Sequence, residues 1–254
     1  MHMPNTYRLI DIRPDRYPDL LPWSPVLAET AARRVATTNM PAILLRSQSA
    51  YVLLGPQDRR LPKLSEGLRW LKSQGLPVLF RLGGGSAVLL DHHCVSFAVI
   101  RPSRDLTAWR TNFIDMTQGV LRGLAMLGVS AQFGEAPGSY CPGPYDLLVA
   151  GKKVAGVAQA IRGGYAMVSG MLIVDQDPVA TTALLQEFYD RAGKVQLLRS
   201  EAVADLASWV PVTVNQVFDA IIGGYSQTDV LHQDPLTQDE IMLAQRLYQE
   251  RNLA

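Results

Sequence analysis

Residues 145–175, YDLLVAGKKVAGVAQAIRGGYAMVSGMLIVD, read as three strands folded back on one another. Their apolar runs, Tyr145–Val149, Lys153–Ile161 and Tyr165–Val174, are separated by Ala150-Gly151 and Gly163-Gly164. Both separators are hairpin signals, because small residues reach the backbone conformations that tight turns need. On the N-terminal side, residues 6–12 read as a strand and 25–39 as a helix with an early proline. The apolar runs Ala42–Leu45 and Tyr51–Leu54, split by Ser47-Gln48-Ser49, suggest a hairpin. Residues 63–74 form an amphipathic helix pattern with Leu64, Leu68 and Leu71 on one face and Gly75 at its end. Leu76–Phe80 reads as a buried strand, Ala87–Leu90 and Val95–Ile100 as a strand pair, and 105–127 as a long helix. Beyond residue 177 the pattern is helical, at 178–192, 200–208, 212–222 and 236–251. Strand runs followed by a helical block predict an α+β (α/β) fold of mixed or antiparallel sheets packed with helices, not a repeating βαβ array.

Composition bounds the function. The chain has 254 residues, 48% hydrophobic and 19% charged, which is globular and long enough to bury a core without disulfides or metal. Its formal charge of +1, from 24 basic and 23 acidic residues without long like-charge runs, gives no general attraction to nucleic acid or anionic membrane. Two cysteines, Cys94 and Cys141, make neither a disulfide framework nor a Cys-rich zinc site. The N-terminus lacks the apolar core of a signal peptide, and no apolar run reaches the roughly 18 residues of a membrane span. A cytoplasmic protein is the expectation.

Three segments are suited to chemistry. Arg81-Leu82-Gly83-Gly84-Gly85 follows a strand and is either a tight turn or a backbone cradle for an anion or carbonyl. It matches neither a P-loop nor a dinucleotide fingerprint. In Gly138–Leu147, GSYCPGPYDL, the prolines exclude a helix, and Pro142 biases Cys141 toward an extended backbone. Cys141 is then either a thiol presented on a stiff loop or an inert small hydrophobe. Cys94, inside an apolar strand, fits the inert reading. Gly151-Lys152-Lys153-Val154-Ala155-Gly156 is either an exposed basic turn or a lysine directed along a sheet face, with Gly156 opening space for a ligand chain. A cationic lysine near Cys141 would favour the thiolate. His92 and His93 read as a solvated turn, and no cluster has convincing metal-ligand spacing.

These segments, in this order, resemble the superfamily of lipoate-protein ligases, octanoyltransferases and biotin ligases. Arg81-x-x-Gly84-Gly85-x-Ala87-Val88-x-x-Asp91 is similar to its glycine-rich motif, and Asp146-Leu147 with Gly151-Lys152-Lys153-Val154-Ala155-Gly156-x-Ala158-Gln159 to its lysine motif. The resemblance covers roughly residues 25–180. It departs from the ligases at Ser86, where they usually carry a third glycine, and at Leu90, where they usually carry a histidine. Cys141 just ahead of the lysine motif is similar to the octanoyl-[glycine cleavage H protein]:protein N-octanoyltransferases, or lipoyl amidotransferases.

The resemblance implies a class II biotin ligase-like catalytic domain over residues 1–254, with a helical C-terminal segment at about 178–254 and no complete accessory domain. It implies a Cys141 thioester that carries an octanoyl group from octanoylated H protein to a lysine of a lipoyl domain of a 2-oxoacid dehydrogenase. Lys153 tunes the thiol and orients the carbonyl. Arg81, Gly83, Gly84, Gly85, Asp146, Val154, Ala155 and Gly156 are the expected substrate-binding residues, Arg81 chiefly as a loop anchor. Neither ATP nor metal is expected. Burying the acyl chain is worth about 0.8 kcal/mol per CH₂, roughly 5 kcal/mol in all. The alternatives are octanoyl-acyl carrier protein as donor, an ATP-dependent lipoate-protein ligase, and a non-catalytic acyl-binding protein.

Overall fold

The structure is a computed structural model and describes residues 4–253. In chain order its elements are β1 (Thr6–Ile12), α1 (Ser24–Thr38), β2 (Ala42–Arg46), β3 (Tyr51–Leu54), α2 (Leu64–Ser73), β4 (Val78–Phe80), β5 (Val88–Leu90), β6 (Cys94–Pro102) and α3 (Trp109–Met126). They continue with β7 (Gln132–Gly134), β8 (Asp146–Val149), β9 (Lys152–Arg162), β10 (Tyr165–Ile173), α4 (Pro178–Arg191), α5 (Val214–Ser226), β11 (Val230–Gln233) and α6 (Gln238–Arg251). The helix ends carry their own signals. Gly75, at φ +74°, ends α2 in a reciprocal pair of bonds, Leu76 N–H to Leu71 O and Gly75 N–H to Lys72 O. Thr213 with Gln216, and Thr237 with Glu240, box the starts of α5 and α6.

Eight strands form one mixed sheet in the order β11-β1-β2-β6-β10-β9-β8-β7. β11, β1 and β2 run parallel, and from β2 onward every neighbour is antiparallel. The three strands at 145–175 are thus the β8-β9-β10 meander that the turn signals predict. A second sheet has the order β4-β3-β5.

Two expected strand pairs are corrected. β2 and β3 do not form a hairpin, and neither do β5 and β6; in each case one strand joins the large sheet and the other the small one. Gln48, between β2 and β3, accounts for the first parting. Its amide donates to the Asp91 and Cys94 carbonyls and its Oε1 accepts from Ser96, so the connection is buried and bonded to β6 instead of forming a tight turn. The helix expected at 200–208 is two separate 3₁₀ turns, Ser200–Ala202 and Leu206–Ser208. Asp205 caps the second through Ser208 N–H, and Ala204 N–H bonds Lys153 O, tying the segment to β9. β7 and β11 are short edge strands that the apolar pattern did not announce.

The central strands are mostly apolar because both faces are covered. Leu44, Ala98 and Ile100 face a core shared with α1, α4, α6 and the small sheet. Ile43, Leu45, Phe97 and Val99 face a second core under α3 and α5. The helices after residue 178 therefore cover both sheet faces. Among the described residues no helix is long and apolar enough to cross a membrane.

Candidate active site

The site lies on the α1 side of the large sheet, where two loops meet over β9. The first, residues 81–86, links β4 to β5 and curls around the Arg81 guanidinium. Nε of Arg81 donates to Gly84 O at 3.0 Å and Nη2 to Ser86 O at 2.9 Å, so Arg81 anchors the loop as expected. It does more than that, since Nη2 also donates to Cys141 Sγ at 3.0 Å, and Ser86 N–H reaches the same sulfur at 3.2 Å. Gly85 sits at φ +97°, and a Cβ there would stand 2.4 Å from Arg81 Nη2 and 2.6 Å from Cys141 Sγ. Only glycine leaves room for the thiol.

The second loop presents Cys141 in a conformation that the proline rule did not anticipate. Its φ is +46°, in the left-handed region and not extended. Three bonds overdetermine it: the two on Sγ, and one from Lys153 Nζ to Cys141 O at 2.7 Å. Strain of this kind, about 1–3 kcal/mol, persists only where the surroundings hold it.

Lys153 reaches the site through a bulge. The register shifts between Leu147, opposite Ala155, and Leu148, opposite Lys153, leaving Val154 as the extra residue. Side chains two apart on a regular strand share a face, and a bulge re-aims them. Ala155 accordingly packs into the α3–α5 core, while Lys153 turns to the opposite face, beside Gly156. The Lys153 ammonium pairs with Asp146 Oδ2 at 2.8 Å and donates to the carbonyls of Tyr140 at 3.1 Å and Cys141 at 2.7 Å. All three of its N–H bonds have acceptors. Asp146 also accepts from Gly143 N–H and Val157 N–H, joining the cysteine loop to β9.

The electrostatics follow from this packing. Burial opposes ionisation of Cys141, but the charges of Arg81 and Lys153 and the bonds from Ser86 N–H and Arg81 outweigh it, and the thiol pKa falls below its ordinary value. Burial pushes the Asp146 carboxyl up, against the pull of Lys153. Burial also pushes Cys94 well up, and no charge offsets it; that thiol is the inert one.

A cavity of about 450 Å³ opens beside these groups. Gly83, Gly84, Gly85, Arg81, Cys141, Asp146, Lys153 and Gly156 all line it. Val154 and Ala155 do not: both side chains are buried in the core on the other face of the sheet. His92 and His93 do not line the cavity, and His93 Nδ1 lies 3.0 Å from Asp175 Oδ1.

Ser86 acts through its backbone N–H, a donor of the kind the glycine-rich loop was read to offer. Two supporting residues had escaped the sequence reading. Tyr189 accepts from Ala87 N–H at 2.9 Å and donates to Asp58 Oδ1 at 3.2 Å. Asp58 in turn accepts from Gly55 N–H at 2.8 Å. The Gly55-Pro56-Gln57-Asp58 turn was a usable signal for Asp58, whereas nothing local marks Tyr189. Gly55 packs so closely that a Cβ would fall 1.8 Å from Gly85 O. Gly55→Ala is expected to cost about 1–3 kcal/mol in urea denaturation. By displacing the glycine loop it should also raise the pH at which Cys141 reacts with iodoacetamide. An unchanged alkylation profile would show that the loop does not depend on this contact.

The family model of the lipoyl protein ligase A/B catalytic domain matches residues 26–226. The chain is 34% identical over 217 residues to "Octanoyl-[GcvH]:protein N-octanoyltransferase" of Exiguobacterium sp. (strain ATCC BAA-1283 / AT1b), covering 81% of this chain and 77% of that protein. A protein of the same name from Geobacillus kaustophilus (strain HTA426) is 37% identical over 141 residues, covering 55% of this chain and 50% of its own length. Among solved structures, the putative lipoate protein ligase Ta0514 from T. acidophilum with bound lipoic acid superimposes with a TM-score of 0.72 at 24% identity. That superposition covers 98% of this chain and 96% of the ligase chain.

Proposed function

Because the chain belongs to the lipoyl protein ligase A/B catalytic domain family, we propose that it transfers acyl groups in protein lipoylation through a thioester on Cys141. The donor is octanoylated H protein of glycine cleavage, and the acceptor is a lysine of a lipoyl domain of a 2-oxoacid dehydrogenase, both met in the cytoplasm. The names of the relatives support the donor. The observation that carries the mechanism is a pKa-lowered thiol at a cavity, bonded by Arg81 Nη2 at 3.0 Å and Ser86 N–H at 3.2 Å.

In the proposed sequence the Cys141 thiolate attacks the amide carbonyl of the donor's octanoyl-lysine. A C–S bond forms, negative charge moves from sulfur to the carbonyl oxygen, and the C–N bond then breaks. The donor amine leaves with a proton from solvent. Ser86 N–H and Arg81, already on the sulfur, are the donors nearest the developing oxyanion, a kind of interaction worth about 3–4 kcal/mol when one donor is lost. Lys153 acts electrostatically and by holding the cysteine loop, since its three N–H bonds are committed. The acceptor's neutral amine attacks the thioester, C–N replaces C–S, the nitrogen gives its surplus proton to solvent, and the thiolate returns. No step consumes ATP.

The test is intact mass after incubation with octanoylated H protein, and separately with octanoyl-acyl carrier protein, without ATP. A one-octanoyl increment labile to hydroxylamine supports the thioester, and the donor that gives it is the substrate. Absence of any increment, with transfer only when ATP and free acid are added, would replace this reading by a ligase. Arg81→Gln removes the largest favourable charge on the thiol. Its pH–rate profile should move to higher pH by one unit or more, with the alkaline plateau lowered about tenfold or more. An unmoved profile would remove Arg81 from thiol activation.

A further inference from the structure

The segment that follows α4 has its polarity inside out. Residues 194–199, KVQLLR, belong to no helix, strand or turn, and their exposure alternates from one residue to the next. That is the period of an extended chain. A half-buried strand normally turns its polar residues to water. Here Gln196 is turned inward, while Val195 is fully exposed and Leu197 is 72% exposed.

The backbone of this segment is paired along one edge only. The Gln186 side chain on α4 donates to Gln196 O at 2.9 Å and accepts from Leu198 N–H at 2.8 Å, as a neighbouring strand would. In an extended chain residues 195, 197 and 199 direct their N–H and C=O groups to the opposite edge. On that edge Arg199 N–H bonds Gly138 O at 2.8 Å, at the start of the loop that presents Cys141. The N–H and C=O groups of Val195 and Leu197 have no partner among the described residues. Lys194, whose ammonium lies 4.4 Å from the Tyr189 ring, and the exposed Arg199 give the edge positive ends. An open edge of this kind, with apolar side chains beside it, is a template for a further strand.

We propose that residues 194–199 are the docking edge for the protein that brings the acyl-lysine, which lays an extended segment of its own along 195–197 and covers the Val195 and Leu197 side chains. This rests on the reading of Cys141 as an acyl carrier loaded by a protein donor. The continuity of the edge with the cysteine loop favours that occupant. Gly138, where the paired part of the edge ends, is three residues from Cys141, at most about 11 Å along the chain. A strand added there holds its lysine beside the thiol. The complementary segment is apolar toward Val195 and Leu197 and acidic at its ends, opposite Lys194 and Arg199.

The test compares a protein donor with a small one. Acylation of Cys141 would be followed by intact mass with octanoylated H protein and with S-octanoyl-N-acetylcysteamine. For the double variant Val195→Ser with Leu197→Ser, kcat/KM with the protein donor is expected to fall tenfold or more, through KM, while the small thioester reacts within about twofold of the unmutated rate. In the Cys141→Ala protein, octanoylated H protein should slow hydrogen exchange at the Val195 and Leu197 amides. Thermal melts should be unchanged, since both side chains are exposed. An equal fall with both donors, or no fall with either, overturns the docking role, and so does exchange that the protein donor leaves untouched. A concentration-dependent dimer of the unmutated protein that the double variant abolishes would assign the edge to a second copy of this chain and overturn it too. Failure of the small thioester to load Cys141 in the unmutated protein overturns the acyl-carrier reading itself, and this inference with it.

Discussion

Cys141→Ala is expected to lower acyl transfer by roughly 10⁴-fold or more, the scale on which loss of a covalent nucleophile is felt. It should also abolish the octanoyl increment in intact mass. The effect is large because nothing nearby substitutes for the thiol. Cys94 is fully buried, is absent from the cavity lining, and is held protonated by burial. The Cys141 side chain also carries little of the fold, since Arg81 keeps its bonds to Gly84 O and Ser86 O without it. Thermal stability should therefore change much less than activity, which separates chemistry from folding. In the unmutated protein the rate should rise with pH and level off below the ordinary thiol range near 8.5, because the thiolate is the reactive form and its pKa is lowered. The linkage has the matching sign. Thiolate stabilisation of the fold is complete above about 8.5 and is lost as pH falls through the folded value. A variant that retains transfer would end the thioester mechanism.

Lys153→Met is expected to have the largest effect on stability. Lys153 and Asp146 are each 2% exposed at the side chain and 2.8 Å apart. Removing the ammonium strands a buried carboxylate, a loss of about 3–5 kcal/mol in comparable buried pairs. In a chain of this size that lowers Tm by roughly 10 °C. Activity should fall as well, because the carbonyls of Tyr140 and Cys141 lose their donor and the thiol loses a neighbouring charge. The double variant Lys153→Met with Asp146→Asn distinguishes the two effects. It should recover much of the melting temperature without recovering transfer, since the stranded charge is gone but the cysteine loop is still unheld. Equal recovery of both would mean that Lys153 serves the fold alone.

The sequence made most elements legible but not all of their neighbours. The β8-β9-β10 meander announced itself because glycine-containing turns joined apolar runs. β2 and β3 looked like an equally good hairpin, and the difference lay in Gln48, whose side chain bonds β6, a strand more than forty residues away. β11 stayed hidden because Val230–Gln233 is mostly exposed and so carries little apolar signal. At the site, Arg81, Cys141, Asp146 and Lys153 were found from local motifs, and the structure brings all four together. Val154 and Ala155 belong to the same motif but point the other way, because motif adjacency says nothing about sheet face. Tyr189 was not found, because a phenol more than a hundred residues from the loop it holds becomes a functional candidate only in three dimensions.

The extra residue at Val154 gives β9 a property best described as parity. Between Lys153 and Ala155 the count of intervening residues is even in ladder terms and odd in the chain, and that mismatch alone separates a lysine beside the thiol from a lysine driven into an apolar core. The position of the ammonium is therefore encoded in length, not in the identity of residue 154. Segments grafted between relatives or altered by design need to conserve the number of residues from Asp146 to Gly156 before any side chain in it, because a change of one inverts the faces of everything beyond it.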